Sequence, residues 1–401
     1  MADLRGGNLV YVGFLLMGMG TLLPWNFFIT ADSYWQYKFR RNASDDDHWE
    51  QDPRTPLQLL FGPLQVCFSQ LPNFAFLALN ALYCGRFPQR LRLLGSLGCM
   101  ILLFTVTTVF TKVDTDSWQI DFMAMTISII FVLNICQAIL QGGILGLAGM
   151  FPTKYMTAVL TGQALSGVFS SAARVVSLAV GGDQIQAAFI YFIIAVFVML
   201  FTGVVYLAMS HMDFYKHYTG YEALDSSSEH PQSNLQVFKQ ILPLCAAVCV
   251  IFTVTLSVFP VVCVRIVSTS VHKEWAEIFF QPVITFLLYN VGDLFGRQLA
   301  GWMTWPRRGS LLYILVALRV GFIPLFLFCN TDIASVPSYF TRDSVYITLM
   351  VLFSVSNGHL TALCFMSAPK MVAPEDAEKA GMMLAGSLGL GLLLGAVCSF
   401  G

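Results

Sequence analysis

Long apolar runs recur along the chain at about 9–30, 57–83, 93–111, 121–147, 157–180, 187–209, 240–266, 276–302, 312–329, 345–368 and 379–399. Short polar or Gly/Pro-containing connections separate them. A helix needs roughly 20 apolar residues to cross a bilayer core, whereas a buried strand needs only about 4–8. The pattern therefore predicts an all-α polytopic membrane protein with eleven transmembrane helices. The first run begins near Leu9 after a single Arg5, exceeds twenty residues and lacks a small-residue cleavage site. It reads as a retained helix and not as a signal peptide.

Two connections are longer than the rest. One, at about 31–56, carries Arg40, Arg41 and the acidic run Asp45, Asp46, Asp47. The other, at 210–239, contains Asp225, Ser226, Ser227, Ser228 and Glu229 and has the composition of a solvated linker. It divides the chain into an N-terminal six-helix bundle (1–209), a cytosolic linker loop (210–239) and a C-terminal five-helix bundle (240–401). This predicts a 6+5 two-bundle, major-facilitator-like arrangement with a site between the halves at the midplane.

Charge adds an orientation. With eleven spans, the N-terminal side carries eleven Lys and Arg residues in its loops, from Arg5 to Lys379, and the opposite side seven, from Lys38 to Arg342. That bias places the N-terminus in the cytosol and the C-terminus outside or in a lumen. Asn42-Ala43-Ser44 is a glycosylation sequon, with Asn42 as acceptor, and its loop falls on the same external side.

Composition removes whole classes of function. Only 11% of residues are charged and 56% are hydrophobic, against about 25% charged in soluble domains. Lys and Arg number 22 against 23 Asp and Glu, so no basic stripe exists for nucleic acid. The ten cysteines are scattered through apolar stretches without a C-x-x-C, as small buried hydrophobes would be. No Walker sequence, H-E-x-x-H or dinucleotide fingerprint is present, which leaves ATP-driven pumping without machinery and implies no cofactor. Gly142, Gly146, Gly391 and Gly395 lie four apart in pairs, as close helix packing requires.

The polar residues inside the spans carry the functional signal. Span eight holds Asn290, Asp293 and Arg297, spaced three and then four apart on one helical face. An aspartate or arginine at a helix centre costs roughly 2.5–3.5 kcal/mol on insertion scales. The pair either ties two helices together or lines a pathway, and intramembrane ionisable groups favour the second reading. Span four offers Asn134, Gln137 and Gln141, span two Gln70 and Asn73 around Pro72, and span five Gln163, Ser166, Ser170 and Arg174. Singly, each serves as interhelical glue as readily as ligand contact; together they describe an amide-rich cavity facing inward. Such a cavity suits a neutral hydroxylated solute better than an inorganic ion. Trp25 after Pro24, Phe259 before Pro260 and Phe286 add aromatic walls, which fit a planar heterocycle bearing a sugar. Arg174 and Arg319 read as structural or gating residues that snorkel or bind backbone carbonyls.

The run from Leu22 through Pro24-Trp25-Asn26-Phe27-Phe28 to Ala31 resembles the first-span signature of the equilibrative nucleoside transporters. So do Ile139-Leu140-Gln141-Gly142, Gly162-Gln163 with Ser166-Gly167, Asn290 through Asp293 to Gly296-Arg297, Ser356-Asn357-Gly358, and Gly391-Leu392 with Gly395-Ala396. The resemblance covers essentially the whole chain. It implies facilitated diffusion of purine and pyrimidine nucleosides, such as adenosine and uridine, by alternating access. It extends the cargo to nucleobases and nucleoside-analogue drugs and implies a monomer in contact with membrane lipid. It assigns Gln141 to the base and Asp293 and Arg297 to the ribose hydroxyls, with Asn290 nearby. Trp25, Gln70, Asn73, Phe259, Phe286 and Leu392 would line the cavity. Gln70 and Asn73 stand where members often carry apolar residues, and Gln137 occupies a small-residue position tied to inhibitor sensitivity. Tyr34-Trp35, Asp114 through Trp118 and Gln298-Leu299 resemble the lysosomal branch, whose long N-terminal sorting extension is not in this sequence. The expected location is therefore the plasma membrane, with a lysosomal or other endomembrane as the alternative. A proton-coupled carrier of an acidic organelle, using Asp293 and His359, is the second transport reading. A membrane receptor that binds without flux is a third, and an intramembrane enzyme lacks any nucleophile–base pair.

Overall fold

In lipid every backbone N–H and C=O must be paired within the protein, and apolar runs of about twenty residues, too long for barrel strands, meet that demand as helices. The computed structural model describes residues 7–41, 53–83, 88–180, 183–225, 233–306, 309–331 and 337–399. Asn42 of the sequon, Asp45–Asp47, Cys84 and Ser226–Glu229 of the linker lie outside the described residues, as do the loop cations Arg5, Arg86, Arg307 and Arg308. The long helices are α1 (Gly7–Thr30), α3 (Pro56–Tyr83), α4 (Gln89–Thr111), α5 (Gln119–Gly149), α6 (Thr153–Val180) and α7 (Gln184–Ser210) in the first half. The second half holds α9 (Asn234–Val258), α10 (Leu288–Trp302), α11 (Gly309–Leu318) with α12 (Phe322–Leu327), α13 (Asp343–Ser367) and α14 (Ala377–Ser399). Ten helical segments among the described residues are long and apolar enough to span a membrane. The 28-residue α3 packs among them. Its amides and two prolines lower its hydropathy, and with it the segments are compatible with eleven spans.

Four features depart from the apolar pattern. The first long connection contains a short helix, α2 (Asp32–Lys38), whose Trp35 is buried and donates from Nε1 to the Phe28 carbonyl at 3.1 Å. Lys38 donates to the Val113 carbonyl at 2.6 Å, and burial pulls its amine below the usual lysine range against the opposing pull of Asp116. The linker opens with another helix, α8 (Asp213–Asp225), whose Phe214 and Tyr218 pack on Phe151. Span nine is broken by a tight turn at Arg319–Gly321, where Pro324 cannot offer an N–H to the carbonyl four residues back. Span eight begins with wide π-helical turns over Trp275–Phe279 and Gln281–Leu287, around Pro282, before it tightens into α10.

Helix packing closes a ring. In order, α1 packs on α6, α6 on α10, α10 on α13, α13 on α9, α9 on α14, α14 on α3, α3 on α5 and α5 back on α1. The helices α4, α7 and α11 lie against the outside of this ring. Seams between the halves fall at α6–α10 and at α14 with α3 and α5.

The crossing of α10 over α13 is as close as that of α1 over α6 at Gly18 and Gly162, and like it reciprocal. A Cβ on Gly296 would meet the carbonyl of Val355 and the amide of His359, and one on Gly358 would meet the carbonyl of Asp293 and the amide of Arg297 at 3.0 Å. No side chain fits at either position, so backbones touch and the adjacent polar residues are forced together. Gly391 and Gly395 serve the same purpose against the α9 backbone, while Gly142 and Gly146 make room for side chains of α3 and α14.

Replacing Gly358 with leucine puts a side chain where the α10 backbone lies. The expected result is a loss of more than the 1–3 kcal/mol usual for overpacking, read as a fall in the melting midpoint of the detergent-solubilised protein or as no folded protein. Gly98→Ala, which has open space around it, leaves the midpoint unchanged.

Candidate functional site

Chemistry concentrates where α10 crosses α13. Arg297 and Asp293 are one helical turn apart, and Arg297 Nε donates to Asp293 Oδ2 at 2.8 Å. Arg297 Nη1 reaches across the seam to the Leu160 carbonyl of α6 at 3.0 Å. From α13, Asn357 Nδ2 donates to Asp293 Oδ1 at 2.7 Å. Asp293 and Arg297 are only 5% and 7% exposed and face the protein interior, away from lipid. Each carboxylate oxygen takes one protein donor and keeps acceptor capacity. Arg297 Nη2 has no protein acceptor among the described residues.

A second arginine backs this pair. Arg319, 1% exposed, donates from Nη1 to the Phe353 carbonyl at 2.9 Å and to the Ser356 hydroxyl, and lies 4.8 Å from the Phe353 ring centroid. Its Nη2 donates to Thr255 Oγ1 at 3.0 Å and to Asn357 Oδ1 at 3.3 Å. Thr255 Oγ1 also lies 2.7 Å from Asn357 Oδ1. Of the two readings open for Arg319, snorkelling or binding a backbone carbonyl, the structure has the second: the break in span nine turns it inward onto the Phe353 carbonyl in the core. Thr255, Ser356 and Asn357 were not among the residues the sequence singled out for the site. An asparagine in an apolar span beside Gly358 was the available signal; nothing local marks Thr255.

Above the pair stands an aromatic wall. Phe259, just past the end of α9, stacks on Tyr289 with centroids 4.1 Å apart and meets Phe286 edge-on at 5.6 Å. Asn290 Nδ2 bridges the Ser171 hydroxyl of α6 at 2.8 Å and the Phe286 carbonyl at 2.9 Å. On α1, Trp25 stacks on Phe28, and its neighbour Asn26 donates to Ser166 at 2.9 Å.

The remaining predicted residues lie on the facing helices of the ring. Gln70 and Asn73 on α3 have buried carbonyl oxygens without a partner among the described residues. Gln141 on α5 is 3% exposed and has no protein hydrogen bond among the described residues. Leu392 on α14 is partly buried in the main core. Unpaired buried amides are costly, so these side chains offer donors and acceptors that the fold does not use. No direct hydrogen bond joins them to the α10 group among the described residues. Heights along the helices differ. Arg297 sits five residues from the N-terminal-side end of α10 at Trp302, about 8 Å, while Phe259 lies beyond the opposite end of α9.

Span five behaves differently from the amide-lined wall expected of it. Gln163 donates to Thr21, Ser166 accepts from Asn26, Ser170 binds its own Gly167 carbonyl, and Arg174 Nη1 donates to the Thr30 carbonyl at 3.0 Å. That stripe is mostly spent on α1. His359 Nε2 lies 2.6 Å from the Trp305 carbonyl, in the segment after α10.

The two halves are joined toward the N-terminal side. Arg92 before the body of α4 binds Glu378 at the start of α14 at 2.9 Å and Asn80 at 2.9 Å. A Cβ on Gly149 would stand 2.7 Å from the Ala377 carbonyl, and one on Gly381 2.7 Å from the Leu145 carbonyl. Thr157 of α6 reaches Met366 of α13 at 3.4 Å. These contacts close the ring below Asp293.

Comparison with known proteins follows from this geometry. Residues 127–236 and 223–401 match the family model described as nucleoside transporter. The chain is 36% identical to equilibrative nucleoside transporter 1 of Rattus norvegicus, over 98% of this chain and 96% of that protein. It is 34% identical to equilibrative nucleoside transporter 2 of Homo sapiens, with the same coverage, and 31% identical to equilibrative nucleoside transporter 3 of Rattus norvegicus, over 98% and 88%. Among solved structures, the proton:xylose symporter XylE of the major facilitator superfamily superposes with a TM-score of 0.56 at 13% identity, covering 96% of this chain and 85% of that one. The human organic anion transporter MFSD10 gives 0.53 at 14% identity, covering 97% and 91%. The fold is thus that of the major facilitator transporters, and the chain belongs to the nucleoside transporter family.

Proposed function

We propose that this chain carries nucleosides across a membrane by alternating access, in an equilibrative manner and with no covalent chemistry. It is an integral membrane transporter and not an enzyme. The observation that carries the reading is the Asp293–Arg297 pair, held inside a closed helix ring with unspent acceptor and donor capacity. A carboxylate accepts from the vicinal hydroxyls of a ribose, and a guanidinium donates to their oxygens. Gln141, Asn73 and Gln70 supply amides of both polarities for a base edge, and Trp25, Phe259 and Phe286 supply flat apolar faces. Asn290 and Leu392 complete the lining.

The contacts at Arg92, Glu378, Gly149 and Gly381 correspond to the barrier on the N-terminal side, taken as cytosolic from the loop charges. Rocking of 1–209 against 240–401 breaks that barrier and forms one at the opposite end. Nucleobases and nucleoside-analogue drugs fall within the same chemistry, and a monomer suffices because the ring is built by one chain. The plasma membrane is the proposed location, with Asn42 glycosylated on the external face.

Two measurements test this. Asp293→Asn, compared per molecule of purified protein in proteoliposomes, is expected to lower uridine uptake at least tenfold; uptake within twofold of wild type would remove Asp293 from the mechanism. Uridine counterflow across equal pH is expected to equilibrate, and an inward proton gradient to leave the final internal concentration unchanged. Concentrative accumulation driven by that gradient would replace the equilibrative reading with the proton-coupled one.

A further inference from the structure

We infer that Arg319 is a positioning residue for substrate: through Asn357 it sets the Asp293 carboxylate in the orientation that receives the sugar hydroxyls. This rests on the reading of Asp293 as the sugar-binding group. The chain of contacts runs from the break in span nine to the site through side chains alone. The Phe353 carbonyl, the Ser356 hydroxyl and the Phe353 ring anchor the Arg319 guanidinium.

The direction of the relay follows from donor and acceptor chemistry. A guanidinium only donates, so Arg319 Nη2 at 3.3 Å selects the carbonyl end of the Asn357 amide. Thr255 Oγ1 receives from Arg319 at 3.0 Å, and its single hydrogen faces both the Ile251 carbonyl at 2.8 Å and Asn357 Oδ1 at 2.7 Å, reinforcing that choice when it turns to Asn357. The amide group of Asn357 is therefore left pointing at Asp293 Oδ1, 2.7 Å away. With the amide reversed, its oxygen would face a carboxylate oxygen and its NH2 a guanidinium, both repulsive.

Asp293 is thus pinned by two donors on different oxygens, Asn357 at Oδ1 and Arg297 Nε at Oδ2. Rotation of the carboxylate would break one or both. The acceptor capacity that remains is fixed in direction, as a rigid pair of vicinal hydroxyls demands. Without Arg319 the amide loses the contact that orders it, and the carboxylate loses the donor that squares it to the sugar.

The test separates positioning from mere packing by comparing substrates with and without the hydroxyls. Steady-state uptake of uridine and of 2′,3′-dideoxyuridine is measured in proteoliposomes for wild type, Arg319→Gln, Asn357→Leu and Thr255→Val. The expected result is a uridine KM raised at least fivefold in Arg319→Gln and Asn357→Leu and about twofold or more in Thr255→Val. The dideoxyuridine KM stays within twofold of wild type, so the preference for the ribonucleoside shrinks. Variants that keep the wild-type preference, with unchanged constants or with a parallel loss for both substrates, overturn the proposal. If Arg319→Gln does not fold, Thr255→Val, which removes one hydroxyl and keeps the shape, decides by the same ratio. A wild-type protein that carries neither compound defeats the transport reading itself. One that carries both without preference removes the sugar role of Asp293 and this proposal with it.

Discussion

A carboxylate held away from water in a membrane protein must be surrounded by donors, and that demand organises the centre of this molecule. Asp293 meets it with Arg297 from its own helix and Asn357 from α13. Asn357 in turn is ordered by Arg319 and Thr255. One negative and two positive side chains are thus buried in a single network. Removing one member of a buried pair typically costs about 3–5 kcal/mol because it strands the other. The excess positive charge is spread over the Phe353, Leu160 and neighbouring carbonyl oxygens and the face of the Phe353 ring. The network joins α9, α10 and α13 with the broken span nine, and Arg297 ties it across the seam to the Leu160 carbonyl of α6.

That arrangement is possible only because two backbones touch. Gly296 and Gly358 let α10 and α13 cross at contact distance, and the residues beside them, Arg297 and Asn357, are brought onto the same carboxylate. A bulkier crossing would separate Asn357 from Asp293 by more than a hydrogen bond spans. Small residues in a membrane helix thus do more than lower packing cost here. They set the distance between functional groups.

The N-terminal half contributes differently. Its polar stripe on α6 is consumed by α1, where Gln163, Asn26, Ser166 and Arg174 knit two helices into one unit. Its free amides, on α3 and α5, remain unpaired across the ring. One half therefore presents a rigid charged couple and the other presents neutral amides. The halves meet at the Arg92–Glu378 pair and the close contacts at Gly149 and Gly381 on one side, and along α6 through Arg297 to the Leu160 carbonyl and Asn290 to Ser171. The Arg92–Glu378 pair is largely buried, so separating the two helix ends requires water or new partners to reach both charges.

From the order of residues alone, the helical class and the spacing that puts Asn290, Asp293 and Arg297 on one helical face were legible. They depend on local quantities: the length of an apolar run and the 3.6-residue repeat, both imposed by the bilayer. The same local reasoning missed α2 and α8, because short helices in polar connections carry no apolar run to announce them. It left Arg319 open between snorkelling and a backbone carbonyl, and each residue of the α6 stripe open between interhelical contact and cavity. Whether a polar side chain inside a membrane faces a ligand, a neighbouring helix or the water layer depends on the partner that meets it. Those partners, Asn357 for Asp293, Thr255 for Arg319 and Thr21 for Gln163, come from helices distant in the chain. Only the folding of the ring could assign them, since hydrogen bonds act over a few ångströms and the sequence records no such distance.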